Sequence, residues 1–191
     1  MPSNKLEIFR KEFLNANSWA QRKDGVPLDL LDNLTNEELE IAENELIENL
    51  DLKDDWPING LGHIKSKKAL PKLYDLLEKS KKGMKISIAH SIFQISEDEE
   101  MTDIVLTEMP KLKHWTEIIH MLYLLPIFKD ERIDSMLNGY REHKDYLVAY
   151  NATQAMGLST KEVVEKFREK KTAPNNGYNS LWQRVKTKFN L

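Results

Sequence analysis

Apolar residues recur along most of this chain at intervals of three and four, the spacing of one face of an α-helix. Leu39, Ala42 and Leu46 form one such series, and Thr35 and Glu38 precede it at the spacing of a helix N-terminal capping box. Alternating strand patterns are almost lacking, and the β-branched stretch DIVLTEM follows an acidic segment typical of a helix start. The pattern predicts an all-α protein.

One apolar unit recurs at intervals of 30 to 33 residues. Its markers are Ile64, Ile95, Phe128 and Leu158, each the last apolar residue before a short polar turn. A helix of about 12 residues precedes each marker, and a second apolar helix follows each turn. An isolated helix pair cannot bury both apolar faces, so a repeat of this length predicts stacked helical hairpins.

The repeats suggest how the chain is organised. We expect a single domain over residues 1–191, with an N-terminal helical cap at 1–50 and about four helical hairpins at 51–165. Residues 166–191 are expected to form a loop and a closing helix that covers the last repeat.

The segment LGHIKSKKALPKLYDLL resembles the short HEAT-like repeats of bacterial helical scaffolds and lyase-type HEAT proteins. The likeness covers roughly residues 55–165. It is close at 58–77 and looser later, where Phe93, Pro126 and Met156 replace a glycine of the pattern. The resemblance implies a right-handed α-solenoid, and it implies binding more than catalysis because most HEAT-like proteins are binding scaffolds.

The repeat register separates the faces of the first helix in each hairpin. Positions six and three before each marker are apolar in all four units and are expected to face the core: Ile58, Ala89, Leu122, Ala152, Leu61, Ile92, Leu125 and Ala155. A second face carries no Lys, Arg, Asp or Glu. Its candidate binding residues, here called the stripe, are Trp56, Asn59, His63, Ser87, His90, Gln94, His120, Tyr123 and Tyr150. Two interpretations remain open, a binding surface or burial between units and beneath the N-terminal cap.

Composition narrows the functional classes. The 191 residues include no Cys, which excludes disulfides, thiolate metal sites and a cysteine nucleophile. No signal peptide or membrane-spanning run is recognisable, so we expect a cytoplasmic monomer that does not bind membranes. Charge is uneven, with 6 Lys/Arg against 14 Asp/Glu in residues 1–55 and 8 against 3 in residues 161–191.

No common catalytic motif is recognisable in the sequence. HEAT-like di-iron hydroxylases carry His-Glu pairs in successive repeats, whereas no His in this chain is followed by Glu. The stripe histidines His63, His90 and His120 also occupy different register columns. We therefore expect no metal, no cofactor and no enzymatic activity, and a metal-dependent enzyme ranks third among the interpretations.

Nucleic-acid binding is the alternative to protein binding. HEAT-like DNA glycosylases combine a cationic concave face with Trp and a carboxylate, and Trp56 could stack on a base. The stripe lacks the cations that supply most such affinity. The sequence therefore predicts a non-catalytic scaffold or adaptor that binds an unidentified protein partner, with a glycosylase-like nucleic-acid-binding protein as the alternative.

Overall fold

The computed structural model describes residues 4–172, with side chains through residue 169. Within this range the chain forms twelve α-helices and no strand, as the sequence predicts. The helices are α1 Asn4–Phe9, α2 Trp19–Arg22, α3 Asp29–Asp32, α4 Asn36–Glu48, α5 Trp56–His63, α6 Leu70–Lys79, α7 Lys82–Ser96, α8 Glu100–Glu108, α9 Trp115–Leu122, α10 Glu131–Arg141, α11 Tyr146–Ala155 and α12 Lys161–Thr172.

Local chemistry explains where several helices begin. The capping box predicted for α4 is present: Thr35 Oγ1 accepts a hydrogen bond from the Glu38 amide, and Glu38 Oε2 accepts one from the Thr35 amide. Asp130 and Asp145 cap α10 and α11 in a related way, each accepting a backbone N–H of the first turn. These caps satisfy amides that have no partner within their own helix.

The N-terminal helices pack onto one side of α5. Phe13 lies in a π-helical turn, Arg10–Leu14, that continues α1 and contacts α5. A Cβ atom added at Gly60 of α5 would lie 3.0 Å from Phe13, 3.2 Å from Leu46 and 3.4 Å from Leu31. Glycine therefore allows α5 to approach this segment closely, which buries the whole length of α5 from Trp56 to Gly62.

The later helices contact one another in a regular order. The first helices of successive pairs form a series of contacts from α5 to α7, α9 and α11. Among the second helices, α8 contacts α10, and each second helix packs on a first helix or its continuation. A 3₁₀ helix at Leu125–Phe128 extends α9 and contacts α10. The helices therefore bury their apolar faces against helices of their own pair and of neighbouring pairs.

Each first helix ends in a residue with left-handed backbone. Lys65, Glu97, Lys129 and Gly157 have φ angles of 53°, 57°, 49° and 68°. These residues lie within two positions of the four predicted markers. Left-handed residues are usual where a helix ends, although glycine is the usual choice. The turn is therefore a recurring structural element of all four pairs.

The two predicted core columns are confirmed. All eight residues except Ala155 are buried, and Ala155 is half-buried. Residues 166–172 belong to α12, and the predicted closing helix beyond them lies outside the described residues. None of the helices between residues 4 and 172 combines the length and apolar character of a membrane span.

Candidate functional site

The stripe is buried where it runs along α5. Trp56 is 5 % exposed, and its ring lies between Phe13, 5.7 Å away by ring centroids, and the Arg22 guanidinium, 4.3 Å away. Bonds from Arg22 to both Asp54 carboxylate oxygens, at 2.6 and 2.5 Å, hold that guanidinium in place. Asn59 is also buried. The N-terminal helices therefore cover this end of the stripe.

Ser87 and His90 of α7 are buried as well. The Ser87 hydroxyl lies 4.0 Å from the Met121 sulfur of α9, and the His90 ring contacts Phe128 with centroids 6.3 Å apart. Burial lowers the pKa of His90 to about 4, so this imidazole is neutral near pH 7. Trp56, Asn59, Ser87 and His90 therefore match the second interpretation, burial between units and beneath the N-terminal cap, and are not part of an accessible surface.

The stripe emerges from the core on α9 and α11. His120 and Tyr123 are exposed, Tyr123 to 48 %, and Tyr150 is half-buried. Neighbouring side chains extend this area into what we call the tyrosine patch: His120, Tyr123, Tyr146, Tyr150, Asn151 and Gln154. The stripe pattern does not include Tyr146, Asn151 and Gln154. Tyr146 and Gln154 stand four residues from Tyr150 on the same helix and follow from that spacing, whereas Asn151 is adjacent to Tyr150 and joins the patch through its hydrogen bond with Tyr123.

Hydrogen bonds order the tyrosine patch. The Tyr123 hydroxyl donates to Asn151 Oδ1 at 2.6 Å and lies 3.1 Å from Gln154 Oε1, linking α9 to α11. Tyr146 and Tyr150 contact each other with ring centroids 5.6 Å apart. Two effects raise the pKa of Tyr123: its partial burial, which is the larger effect, and the nearby Tyr150. The phenol of Tyr123 therefore stays protonated. The patch is amphipathic and contains no Lys, Arg, Asp or Glu.

Three residue types of a catalytic triad meet beside the patch in an order that does not suit nucleophilic catalysis. Asp55 Oδ2 lies 3.4 Å from the Ser87 hydroxyl and 3.6 Å from His120 Nε2. In a working triad the imidazole stands between the carboxylate and the nucleophile. Here the carboxylate is central and Ser87 is buried, so the cluster links α5, α7 and α9 rather than activating a hydroxyl.

The remaining stripe residues meet in a cleft at the turn end of the first helices. The cleft has a volume of about 630 Å³, and His63 and Gln94 contribute to its lining together with Ile127. Phe93 and Phe128 provide an aromatic wall, with ring centroids 4.6 Å apart. His63 Nε2 lies 2.7 Å from Asp32 Oδ1, which connects this edge of the cleft to α3.

Charged side chains from three successive turns line the same cleft. They are Lys65, Glu97 and Lys129, the left-handed residues that end the first helices. None of the three forms an ion pair with another residue of the described range, whereas Arg132, also at the cleft, pairs with Asp130 and Asp103. The sequence pattern predicts only short polar turns here and no site residues, although the recurrence of these turns after each marker is a usable signal.

Neither metal ligands nor relatives indicate an activity. Within residues 4–169, whose side chains are described, no group of three or more His, Asp or Glu side chains is placed to hold a metal ion. Function must therefore be inferred from the residues themselves, because the chain matches no protein-family model, no curated protein and no solved structure.

Proposed function

We propose that this chain is a non-catalytic, protein-binding scaffold or adaptor, built as a HEAT-like right-handed α-solenoid and acting as a monomer. The observation that carries the proposal is the tyrosine patch, an exposed aromatic surface without Lys, Arg, Asp or Glu in a chain of which 31 % is charged. Tyrosine is enriched and charged groups are depleted at the centres of protein–protein interfaces.

The solenoid architecture is supported by two features of the helices. The first helices contact one another in chain order from α5 to α11, as stacked hairpins would. The same left-handed turn recurs after each of them. A stack of this kind places successive first helices side by side, so that Tyr123 at the end of α9 and Tyr150 on α11 contribute to one continuous surface.

The patch has the chemistry of a binding surface for protein. A phenol ring offers a large apolar area together with a hydroxyl that can donate or accept a hydrogen bond. The bond from Tyr123 to Asn151 holds that ring in place before a partner arrives. Less side-chain entropy is then lost on binding, and more of the contact energy appears as affinity.

Partner capture followed by reconstitution tests the proposal. The tagged full-length chain is used to retain a partner from soluble extract, and the identified partner is then purified and titrated calorimetrically. Because central interface tyrosines often contribute 2 kcal/mol or more, we expect Tyr123→Asp and Tyr150→Asp each to weaken binding by about 30-fold or more. Ile41→Asp, at an exposed residue of α4, is the matched control and should leave affinity unchanged.

Two outcomes would contradict the proposal. Equal affinity of the patch variants and the Ile41→Asp control would show that the patch is not the binding surface. Salt-dependent binding of duplex DNA that is abolished by the same patch variants would replace a protein partner with nucleic acid. The patch contains no Lys or Arg to neutralise phosphates, which is why the protein partner is preferred.

A further inference from the structure

We propose that the cleft at the turn end of α5, α7 and α9 receives a short linear segment of the protein partner, with one apolar side chain flanked by an acidic and a basic residue. This inference rests on the proposed function, because it assumes that the partner is a protein. It adds a second contact site, distinct from the tyrosine patch, and specifies the chemistry of the segment that enters it.

The size and walls of the cleft suit an apolar anchor residue. Its volume of about 630 Å³ lies in the range of pockets that hold small ligands and side chains. Phe93, Phe128 and Ile127 supply an apolar wall, and none of the three is fully exposed. An aromatic or large aliphatic side chain placed against them would lose much of its contact with water.

Polar groups near the walls suit a peptide backbone. Gln94 lines the cleft and makes no side-chain hydrogen bond within the described part of the chain, so its amide can both donate and accept. The cleft is also open on one side rather than sealed. An extended chain can therefore lie across it while one side chain enters, which a closed cavity would prevent.

The charges at the cleft select a segment that carries both signs. Lys65, Glu97 and Lys129 follow α5, α7 and the extension of α9, and these helices contact one another in that order. Positive, negative and positive side chains therefore alternate at these three positions, and Glu99, Asp130 and Arg132 add charges of both signs to the lining. A segment with one acidic and one basic residue can meet opposite charges at neighbouring turns, whereas a segment of one sign meets repulsion at one turn or more.

The backbone at these turns favours the same conclusion. Lysine and glutamate occupy left-handed positions where glycine would be less strained. These three charged side chains carry a conformational cost and line the cleft, whereas Lys82, which is also left-handed, lies outside it.

Capped tripeptides provide a direct test with defined probes. The sequence Glu-Phe-Lys, acetylated and amidated, is titrated into the full-length protein and followed by NMR chemical shifts of backbone amides at the cleft. Burial of the central ring should make it bind about tenfold more tightly than Glu-Ala-Lys. Since exposed ion pairs are weak, it should bind only about threefold more tightly than Glu-Phe-Glu or Lys-Phe-Lys.

Variants locate the binding and keep the test independent of folding. Ile127→Arg should abolish the shifts, while Ile41→Arg, at an exposed residue of α4, should leave them unchanged. The double variant Lys65→Glu, Lys129→Glu makes all three turn positions acidic, and Glu97 shows that this backbone accepts glutamate. It should reverse the preference, so that Lys-Phe-Lys becomes the tightest of the peptides.

The outcomes separate this inference from the proposed function. Equal binding of Glu-Phe-Lys and Glu-Ala-Lys, or no change in charge preference in the double variant, would overturn the cleft assignment even if the patch variants release the partner. Peptide binding at the cleft in the expected order would support the cleft assignment even if the patch variants still bind the partner. That second result would instead contradict the proposal that the tyrosine patch binds the partner.

Discussion

The stripe consists of similar residue types at its two ends, yet the two ends have opposite environments. Trp56 and His90, on α5 and α7, are 5 % and 8 % exposed, whereas His120 on α9 and Tyr123 directly after it are exposed. Trp56 and His120 share one register position relative to their markers, and His90 and Tyr123 share another. The comparison shows that the residue pattern marks a special face, while the neighbouring helices decide whether that face becomes core or surface.

Two structural differences separate the ends. The N-terminal helices pack on α5, and α7 is surrounded by α5, α6, α8 and α9, so that its buried residues extend around the whole helix. Helix α9 is shorter, eight residues against fifteen in α7, and buries only Ile118, Met121 and Leu122. Its opposite face is left to solvent, and His120 on that face joins residues of α11 in the tyrosine patch.

The largest expected effect is at the buried end. Trp56→Ala removes a ring packed against Phe13 and Arg22 and leaves a cavity, so we expect the free energy of unfolding to fall by about 3–5 kcal/mol. Urea denaturation followed by circular dichroism measures the change. A loss below about 1 kcal/mol would mean that this end of the stripe is not core.

Acid should destabilise the buried end through His90. Its pKa of about 4 in the folded chain lies below the value near 6.5 of an unfolded histidine, so the unfolded chain binds the proton more tightly. Above pH 6.5 the free energy of unfolding is not reduced by His90. It falls as the pH decreases toward 4, by up to about 3 kcal/mol. The midpoints of urea denaturation from pH 4 to 7 measure this loss of stability. His90→Gln should make the unfolding free energy depend less on pH, whereas His114→Gln, at an exposed position, should not.

A smaller loss is expected at the interface between α5 and α7. A Cβ atom at Gly62 would lie 2.9 Å from Ser91 Cβ and 2.8 Å from its Oγ, so Gly62→Ala should cost about 1–3 kcal/mol of unfolding free energy. Gly139→Ala is the matched control, because no atom lies within 4 Å of its added methyl group on helix α10. That control should stabilise the chain by up to about 1 kcal/mol, since alanine favours helix. Thermal denaturation of both variants shows whether each substitution raises or lowers the stability of the chain.

The smallest change in stability is expected at the exposed end. Tyr123→Asp and Tyr150→Asp should each alter the unfolding free energy by less than about 1 kcal/mol, because neither side chain is part of the buried core. The helical circular dichroism signal should be unchanged. Unfolding of either variant would place both ends of the stripe in the core and remove the distinction between them.

The sequence was sufficient for features that depend on local spacing. The capping box at Thr35 and Glu38, the helical class and the two core columns all follow from residues within one or two helical turns. Ala155 is half-buried rather than buried because it is the last residue of α11. These features could be predicted because helix periodicity acts over short distances.

The accessible site could be predicted only in part. Tyr123 and Tyr150 were identified from their register, but the same register selected Trp56, whose burial depends on Phe13 and Arg22 far away in the chain. The cleft depends on contacts between successive turns, which no single repeat contains. The pattern within one unit therefore located the face, and only packing between units determined which part of it is available.

The left-handed turns also have a consequence for engineering. A side chain in this conformation costs about 1 kcal/mol relative to glycine, and Lys65, Glu97 and Lys129 each bear that cost. Gly157 ends α11 without it. Placing glycine at the first three turns should therefore increase the thermal stability of the chain, and selection for thermal endurance alone would favour it. Such a chain would, however, lose the charged side chains by which we expect it to discriminate among ligands.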